Sequence, residues 1–317
     1  MIASDRFRLP LYFALTMALT AVAAAADVAG LVDIGSGRKM YLACRGEGSP
    51  VVVLISGKGN GAADWSEILD PSDPVHQADY DALAWGKGTS QKSASAVFPA
   101  VSRFTRVCAY DRPGVRLDGP DQSTPVAQPH KADVAADDLH RLLIAAGERG
   151  PYVLVAHSYG GVVAALFART WPDDVAGLVM VDVVTELIRK AASPEAVAKW
   201  DEFNRASVPA APEGVLLADA FAKIDAKPPL RELPAVVLSA DKPWQPPSDA
   251  KKTDQVAGVS FDDWTASGVL LAKALNAPHV TRTRSGHNIY AYSPQLVIDA
   301  ISEVVHAVRA GRKSVPH

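Results

Sequence analysis

The residue best suited to chemistry in this sequence is a serine in a short motif that contains an alanine and two glycines. Ser158 is the third residue of Ala-His-Ser-Tyr-Gly-Gly, which spans residues 156–161 and follows an apolar run. A strand that turns sharply into a helix needs small neighbours, and such a turn exposes the serine hydroxyl at the edge of a sheet. The usual pattern is Gly-x-Ser-x-Gly, and here Ala156 takes the place of the first glycine. The motif predicts that Ser158 is a nucleophile.

A serine hydroxyl is a weak nucleophile at neutral pH, so Ser158 would need a general base. Of the eight histidines, we favour His287, because it follows a strand-like segment and precedes the last predicted helix. A serine that precedes its histidine in the chain is typical of triads whose nucleophile lies on such a turn. The other histidines lie in other predicted elements, in polar loops or in the tail, and we interpret His157 as a structural side chain of the turn.

An acid must orient the histidine and stabilise its protonated form, and two aspartates are candidates. Asp182 follows the apolar run 175–181, and Asp241 follows the next apolar run, 235–238. Both would lie at the edge of the sheet where Ser158 is expected. We favour Asp182, because the segment that leads to Asp241 lacks the longer glycine-containing turn that is usual there, and Asp241 remains the alternative.

Backbone N–H groups can stabilise the oxyanion that forms when a serine attacks a carbonyl. The N–H of Tyr159, directly after the nucleophile, is the first candidate donor. The second donor is expected in residues 56–61, Ser-Gly-Lys-Gly-Asn-Gly, which follow an apolar run and which we call the oxyanion turn. Its glycines allow close approach of the backbone to a ligand, and the N–H of Lys58 or Gly59 is the candidate.

The same turn has a second interpretation. Gly57, Gly59 and Ala62 fit Gly-x-Gly-x-x-Ala, a fingerprint for dinucleotide binding. That fingerprint needs an acidic residue at the end of a strand about 20 residues further on. The matching stretch, near Asp79 and Asp81, is not strand-like, so we favour the oxyanion interpretation.

Apolar strand-like runs alternate with amphipathic stretches over most of the chain, which predicts an α/β fold with a mostly parallel sheet and helices on both faces. Two segments interrupt the alternation. Residues 69–95 are polar and rich in Asp, Gly and Ser, and we call them the first insertion. Residues 185–232 contain helix-like pieces broken by prolines, and we interpret them as a small lid over the strand ends, the lid segment.

With these motifs in this order, the chain resembles the α/β-hydrolase superfamily, specifically its exported lipase- and esterase-like members. The motifs that carry the resemblance are Ser56-Gly57-Lys58-Gly59 with Trp65, residues 107–112, residues 150–161, residues 175–182 and Ser285-Gly286-His287. The sequence departs from the family pattern at Ser56, where a histidine is usual, in Gly-Val-Arg-Leu at 114–117, where Gly-x-Ser is usual, and in the length of the first insertion.

The resemblance implies hydrolysis of a carboxylic ester through an acyl-enzyme, with a small ester or acyl compound as substrate and no metal or cofactor. Relatives that cleave haloalkanes or epoxides use an aspartate nucleophile, and Ser158 argues against those reactions. A peptidase, lactonase or acyltransferase on the same triad is an alternative activity. A non-catalytic binding protein is another alternative, although such proteins are recognised by a lost serine or histidine.

Residues 1–26 have the pattern of a secretory signal peptide, which leaves 27–317 as the hydrolase domain. Arg6 and Arg8 are followed by an apolar run and then by alanines 23–26. An uncleaved anchor helix is the alternative. The pattern predicts an exported protein without a stable membrane span after cleavage. The net charge of −3 gives no electrostatic reason to expect a nucleic acid partner.

Two cysteines remain, Cys44 and Cys108. An even number in an exported chain permits a disulfide, and both residues lie in strand-like runs that would be neighbours in the sheet. Two buried thiols that pack as small apolar side chains are an equal alternative.

Overall fold

The apolar runs pair into one central sheet in a computed structural model of the chain, which describes residues 26–82, 86, 88–115, 123–205, 213–244 and 255–316. Within these residues the sheet has eight strands. They are β1 (Val28–Gly35), β2 (Arg38–Arg45), β3 (Val52–Ile55), β6 (Val107–Tyr110), β7 (Tyr152–His157), β8 (Val175–Val181), β9 (Ala235–Leu238) and β12 (His279–Val280). Four short strands form two small hairpins: β4 (Glu67–Leu69) with β5 (Ser90–Lys92), and β10 (Gln255–Val256) with β11 (Val259–Ser260).

The strand order of the sheet is β1-β2-β6-β3-β7-β8-β9-β12. Among the described pairs of this sheet, two are antiparallel: β2 runs against β1 in the opening hairpin, and it also runs against β6. The other neighbours, from β6 through β12, pair in parallel. Parallel strands need crossover connections, which helices supply. This arrangement confirms the predicted fold, a mostly parallel sheet with helices on both faces.

Helices of the described residues connect and cover the strands. They are α1 (Pro74–Gln77), α2 (Val97–Val101), α3 (Ala132–Ala145), α4 (Gly160–Thr170), α5 (Ile188–Ala191), α6 (Pro194–Arg205), α7 (Leu217–Asp225), α8 (Phe261–Leu275), α9 (Ile289–Tyr292) and α10 (Pro294–Arg309). Side chains of α3, α4, α7 and α8 pack on one face of the sheet, and those of α2, α9 and α10 pack on the other.

The strands have apolar side chains on both faces because both faces are covered. In β3, Val53 and Ile55 belong to the core on the α3 and α4 side, whereas Val52 and Leu54 belong to the core on the α10 side. This alternation along a strand explains why the sequence shows a continuous apolar run there rather than a polar–apolar pattern.

The two predicted insertions contain short elements of their own. The first insertion includes β5 and α1, and the lid segment includes α5, α6 and α7 between β8 and β9. Within the described residues, no helix combines the length and apolar character needed to cross a membrane. The predicted signal peptide lies outside the described residues apart from Ala26, so export stays a prediction.

The two cysteines face each other across β2 and β6, where Cys44 pairs with Cys108 in the strand register. Their sulfur atoms are joined in a disulfide. Of the two alternatives that the sequence left open, the structure contains the disulfide. It ties the antiparallel hairpin to the parallel part of the sheet.

The packing of α10 on β8 depends on a glycine, which makes a testable prediction. A methyl group at Gly177 would overlap Val304 of α10, whereas a methyl group at Gly30 in β1 would meet nothing within 4 Å. We expect Gly177→Ala to lower the free energy of unfolding by about 1–3 kcal/mol, because overpacking forces side chains from their preferred positions. Gly30→Ala should change it by less than about 0.5 kcal/mol. Urea denaturation measures both, and equal stability of the two variants would contradict the packing described here.

Candidate active site

Ser158 lies on the sharp turn between β7 and α4. Its φ angle is +53°, in the left-handed region that residues other than glycine seldom adopt. Gly160 allows this turn, because a side chain there would overlap the backbone carbonyl of Ile55 at the end of β3. The carbonyl oxygen of Ser158 accepts hydrogen bonds from the N–H groups of Gly161 and Val184, both at 2.9 Å. The side chain of Ser158 is half-buried at the carboxyl edge of the sheet.

The imidazole of His287 contacts a carboxylate from the end of β8. His287 Nδ1 lies 2.6 Å from Asp182 Oδ2, and both side chains are buried. The other carboxylate oxygen, Asp182 Oδ1, accepts the N–H of Ala240 at 2.9 Å. A proton on Nδ1 that donates to Asp182 leaves Nε2 as the ring atom that can accept a proton. This is the tautomer that a general base needs.

Asp241, the alternative acid, is used differently. Its Oδ1 atom accepts the N–H of Ser285 at 2.9 Å and the hydroxyl of Thr283 at 3.2 Å, and the residue is exposed. These bonds hold residues 281–288, the segment that carries His287 and that we call the histidine loop. Of the two predicted acids, the structure brings Asp182 to the imidazole of His287 and Asp241 to the backbone of its loop.

His157 links the turn that carries Ser158 to the histidine loop. Its Nε2 atom donates to the carbonyl oxygen of His287 at 3.1 Å, and the two rings lie 4.6 Å apart between centroids. The ring of Trp264 packs against the ring of His287 at a centroid distance of 5.5 Å. His157 is buried and joins two backbone segments, which fits its interpretation as a structural side chain.

The oxyanion turn lies directly beside Ser158. A side chain at Gly57 would come within 2.9 Å of Ser158 Cβ. The N–H of Gly59 donates to Glu213 Oε2 at 2.9 Å, and the ammonium group of Lys58 donates to the carbonyl oxygen of Asn204 at 2.8 Å. Burial lowers the pKa of Lys58, although the nearby charge of Glu213 acts in the opposite direction. The Gly59 N–H is therefore engaged by a carboxylate of the lid segment.

Sequence reasoning missed a buried carboxylate from the first insertion. Asp81, which has no solvent exposure, accepts the backbone N–H of His287 at 2.9 Å through Oδ2. The sequence placed Asp81 only near the acidic position of the dinucleotide fingerprint and indicated no contact with His287. Gly286 offered an indirect signal, because a side chain there would come within 2.5 Å of the Asp81 carboxylate. Burial and the nearby Asp81 also raise the pKa of the Tyr292 phenol.

Among the described residues, one group has three side chains near enough to share a metal ion: Cys44, Cys108 and Glu148. The two sulfur atoms are joined to each other, and the carboxylate of Glu148 accepts hydrogen bonds from the Arg106 guanidinium at 2.7 to 3.0 Å. These ligand atoms are thus already committed to other partners.

A comparison with known families agrees with this geometry. A model of the Alpha/beta hydrolase family matches residues 52–300, most of the chain. The chain belongs to the alpha/beta hydrolase family. The resemblance to the α/β-hydrolase superfamily that was stated from its motifs is thereby confirmed.

Three individual curated proteins match smaller parts of the chain than the family model does. The probable transporter efuK of Hormonema carpetanum is 30% identical over 166 residues, which make up 50% of this chain and 19% of that protein. The chain spans between 15% and 36% of the length of three curated relatives that it matches.

Solved structures align over nearly the whole chain. A putative lipase from Acinetobacter baumannii has a TM-score of 0.55 and 15% identity, and the match covers 91% of this chain and 94% of that one. The enzyme Est816, named for degrading N-acyl homoserine lactones, has a TM-score of 0.52 and 17% identity, with 86% and 98% covered. At these identities the likeness shows the fold alone.

The contact between Asp81 and the histidine loop gives a prediction that does not depend on activity. We expect Asp81→Ala to raise the hydrogen–deuterium exchange rate of the histidine loop roughly ten- to hundredfold, because a bond to a charged acceptor contributes about 1.5–3 kcal/mol. Asp81→Asn keeps a neutral acceptor and should show a smaller increase. Mass spectrometry of a peptide containing residues 284–288 measures the rate.

The control for this prediction is Asp70→Ala in the same insertion. The Asp70 carboxylate accepts from the backbone and hydroxyl of Ser72 at the surface, away from His287. Its removal should leave the histidine loop unchanged. Equal exchange in Asp81→Ala and the unmodified protein would show that Asp81 does not hold the loop.

Proposed function

We propose that this protein is a serine hydrolase that cleaves carboxylic esters through an acyl-enzyme. The observation that carries the proposal is the 2.6 Å contact between His287 Nδ1 and Asp182 Oδ2, in a fold where Ser158 occupies the turn after β7. A nucleophile, a base and a buried acid are the parts that acyl transfer requires.

In the proposed mechanism, the Ser158 hydroxyl attacks the carbonyl carbon of the ester while His287 Nε2 takes its proton. Asp182 keeps the imidazole oriented and stabilises its protonated form. The N–H of Tyr159 and an N–H of the oxyanion turn, from Lys58 or Gly59, donate to the developing oxyanion. His287 then protonates the leaving alcohol. Water, activated by the same histidine, releases the acid from Ser158.

Two observations favour acyl chemistry over the alternatives. Ser158 forms an acyl ester that water can cleave, whereas haloalkane and epoxide cleavage in this family uses an aspartate nucleophile. The oxyanion turn is followed by a 3₁₀ turn at Ala62–Ser66 rather than by the α-helix of a dinucleotide site.

The nucleophile can be tested with a fluorophosphonate probe, which phosphonylates an activated serine. We expect the protein to be labelled and Ser158→Ala to remain unlabelled while keeping its fold by circular dichroism. Hydrolysis of short and long p-nitrophenyl esters should disappear in the same variant. If the folded protein neither labels nor hydrolyses any ester, a non-catalytic binding role replaces the proposed one.

The two aspartates provide a matched test of the acid. Asp182→Asn is expected to lower kcat by roughly 10³–10⁴, because the amide favours the wrong histidine tautomer. Asp241→Asn should leave kcat within about threefold, since an amide oxygen can still accept from Ser285. Steady-state kinetics on one p-nitrophenyl ester measures both. A larger loss in Asp241→Asn would assign the acid to Asp241.

We also propose that the protein acts after export from the cytoplasm. The signal-like pattern of residues 1–26 supports this location, and so does the Cys44–Cys108 disulfide, because disulfides persist in oxidising compartments. Expression of the whole chain in a bacterium should yield a mature protein that begins at Ala26 or Asp27, as shown by intact mass. A cytoplasmic product that keeps residues 1–26 would contradict export.

A further inference from the structure

A fully buried ion pair lies behind the oxyanion turn. Arg112, from the segment after β6, and Glu213, from the lid segment, are both 1% exposed. Arg112 Nε donates to Glu213 Oε1 at 2.7 Å, and Arg112 Nη2 donates to Glu213 Oε2 at 3.0 Å. Burial alone would lower the pKa of Arg112, but the charge of Glu213 and the hydrogen bonds to it raise that pKa above its ordinary value.

The guanidinium of Arg112 also contacts both proposed oxyanion segments. It donates to the carbonyl oxygens of Ser56 at 2.8 Å and Gly57 at 2.7 Å, which fixes the start of the oxyanion turn. Its carbon Cζ lies 5.2 Å from the ring centroid of Tyr159, so the guanidinium packs over the side chain that follows the nucleophile. One side chain thus touches the residues on either side of the expected oxyanion position.

Glu213 completes the arrangement from the lid segment. Its Oε2 atom accepts hydrogen bonds from the N–H of Gly59 and from Nη2 of Arg112. The residue is anchored through its neighbour Gly214, whose N–H donates to Gln128 and whose carbonyl oxygen accepts the N–H of His130 at 2.9 Å. The lid segment meets the turn again where Lys58 binds the carbonyl oxygen of Asn204.

Burial of two charges is costly, and a buried ion pair is seldom the most stable solution for a core. Besides each other, the two side chains bind the backbone of Ser56, Gly57 and Gly59, so several hydrogen bonds fix their positions. We propose that Arg112 and Glu213 are positioning residues that hold the oxyanion turn in its working shape, and that the lid segment is thereby a structural part of the oxyanion site. This inference rests on the proposed function.

The inference predicts a selective effect on the transition state. An oxyanion donor that is lost or displaced costs roughly 10²–10³ in kcat, whereas substrate binding depends on other contacts. Displacement of the turn by a changed lid residue should therefore lower kcat and leave KM almost unchanged. A defect that only destabilises the fold would change both kcat and KM. At a lower temperature, where the variant is fully folded, it would change neither.

The experiment compares two inhibitors of the same shape. A trifluoromethyl ketone forms a hemiketal with an active serine and places an oxyanion in the site, whereas its methyl ketone parent remains largely unreacted. Glu213→Gln should raise the inhibition constant of the trifluoromethyl ketone by roughly 10²–10³, in parallel with the loss of kcat. The constant of the methyl ketone should stay within about threefold, because ground-state contacts are unchanged.

The matched control is Glu148→Gln, which alters the other buried arginine–glutamate pair, Arg106 with Glu148 at 2.7 Å, outside the oxyanion turn. It should affect stability without changing the ratio of the two inhibition constants. If Glu213→Gln does not fold, Glu213→Asp keeps the charge for Arg112 but is too short to reach Gly59 as well. That variant should shift the ratio in the same direction by a smaller factor.

The outcomes separate this inference from the proposed function. If the unmodified protein neither labels with the fluorophosphonate nor hydrolyses esters, the function itself fails. If it does both, and the inhibitor ratio in folded Glu213 variants equals that of the unmodified protein, the positioning role is wrong. A parallel rise for both ketones would also overturn it, because that result describes a general loss of the binding site.

Discussion

The close approach of β3 to the start of α4 is the constraint on which the candidate site depends. Gly160 has no room for a side chain beside the carbonyl of Ile55, and Gly57 has little room beside Ser158. Because these backbones touch, the turn after β3 and the turn after β7 lie side by side at the same edge of the sheet. Ser158 and the backbone groups of the oxyanion turn are therefore neighbours because of the sheet itself. Parallel pairing of β3 with β7 fixes this geometry.

Buried carboxylates then hold the parts that the sheet alone does not fix. Asp182, Asp81 and Glu213 are each at most 3% exposed, and each accepts a backbone N–H of another segment. A buried charge without partners would cost several kcal/mol, and charge-assisted hydrogen bonds offset that cost only when the geometry is good. The same requirement makes each carboxylate a rigid link. Two of the three come from the insertions, so the insertions contribute to the interior as well as to the surface.

The difference between what the sequence predicted and what it missed follows from this division. Continuous apolar runs and helical spacing predict the sheet, because both patterns arise from burial of regular elements. The sequence also indicates Ser158 and His287 as candidate site residues, because both follow such elements. The acid was not settled, because Asp182 and Asp241 end neighbouring strands and only the path of the histidine loop distinguishes them. Asp81 and Glu213 lie in irregular segments, where long-range contacts decide the position of each side chain. A single sequence carries at most an indirect sign of such contacts, such as Gly286 beside Asp81.

The histidine loop shows why so many carboxylates are needed. Residues 281–288, all of which the structure describes, contain no helix or strand. A histidine that takes and returns a proton must keep its ring within hydrogen-bond reach of its partners, and an irregular segment has no ladder of backbone bonds to hold it. Here three aspartates replace that ladder. Asp182 binds the ring, Asp81 binds the N–H of His287 and Asp241 binds the N–H of Ser285. The second candidate acid thus has a part in the same site, at the backbone rather than at the imidazole.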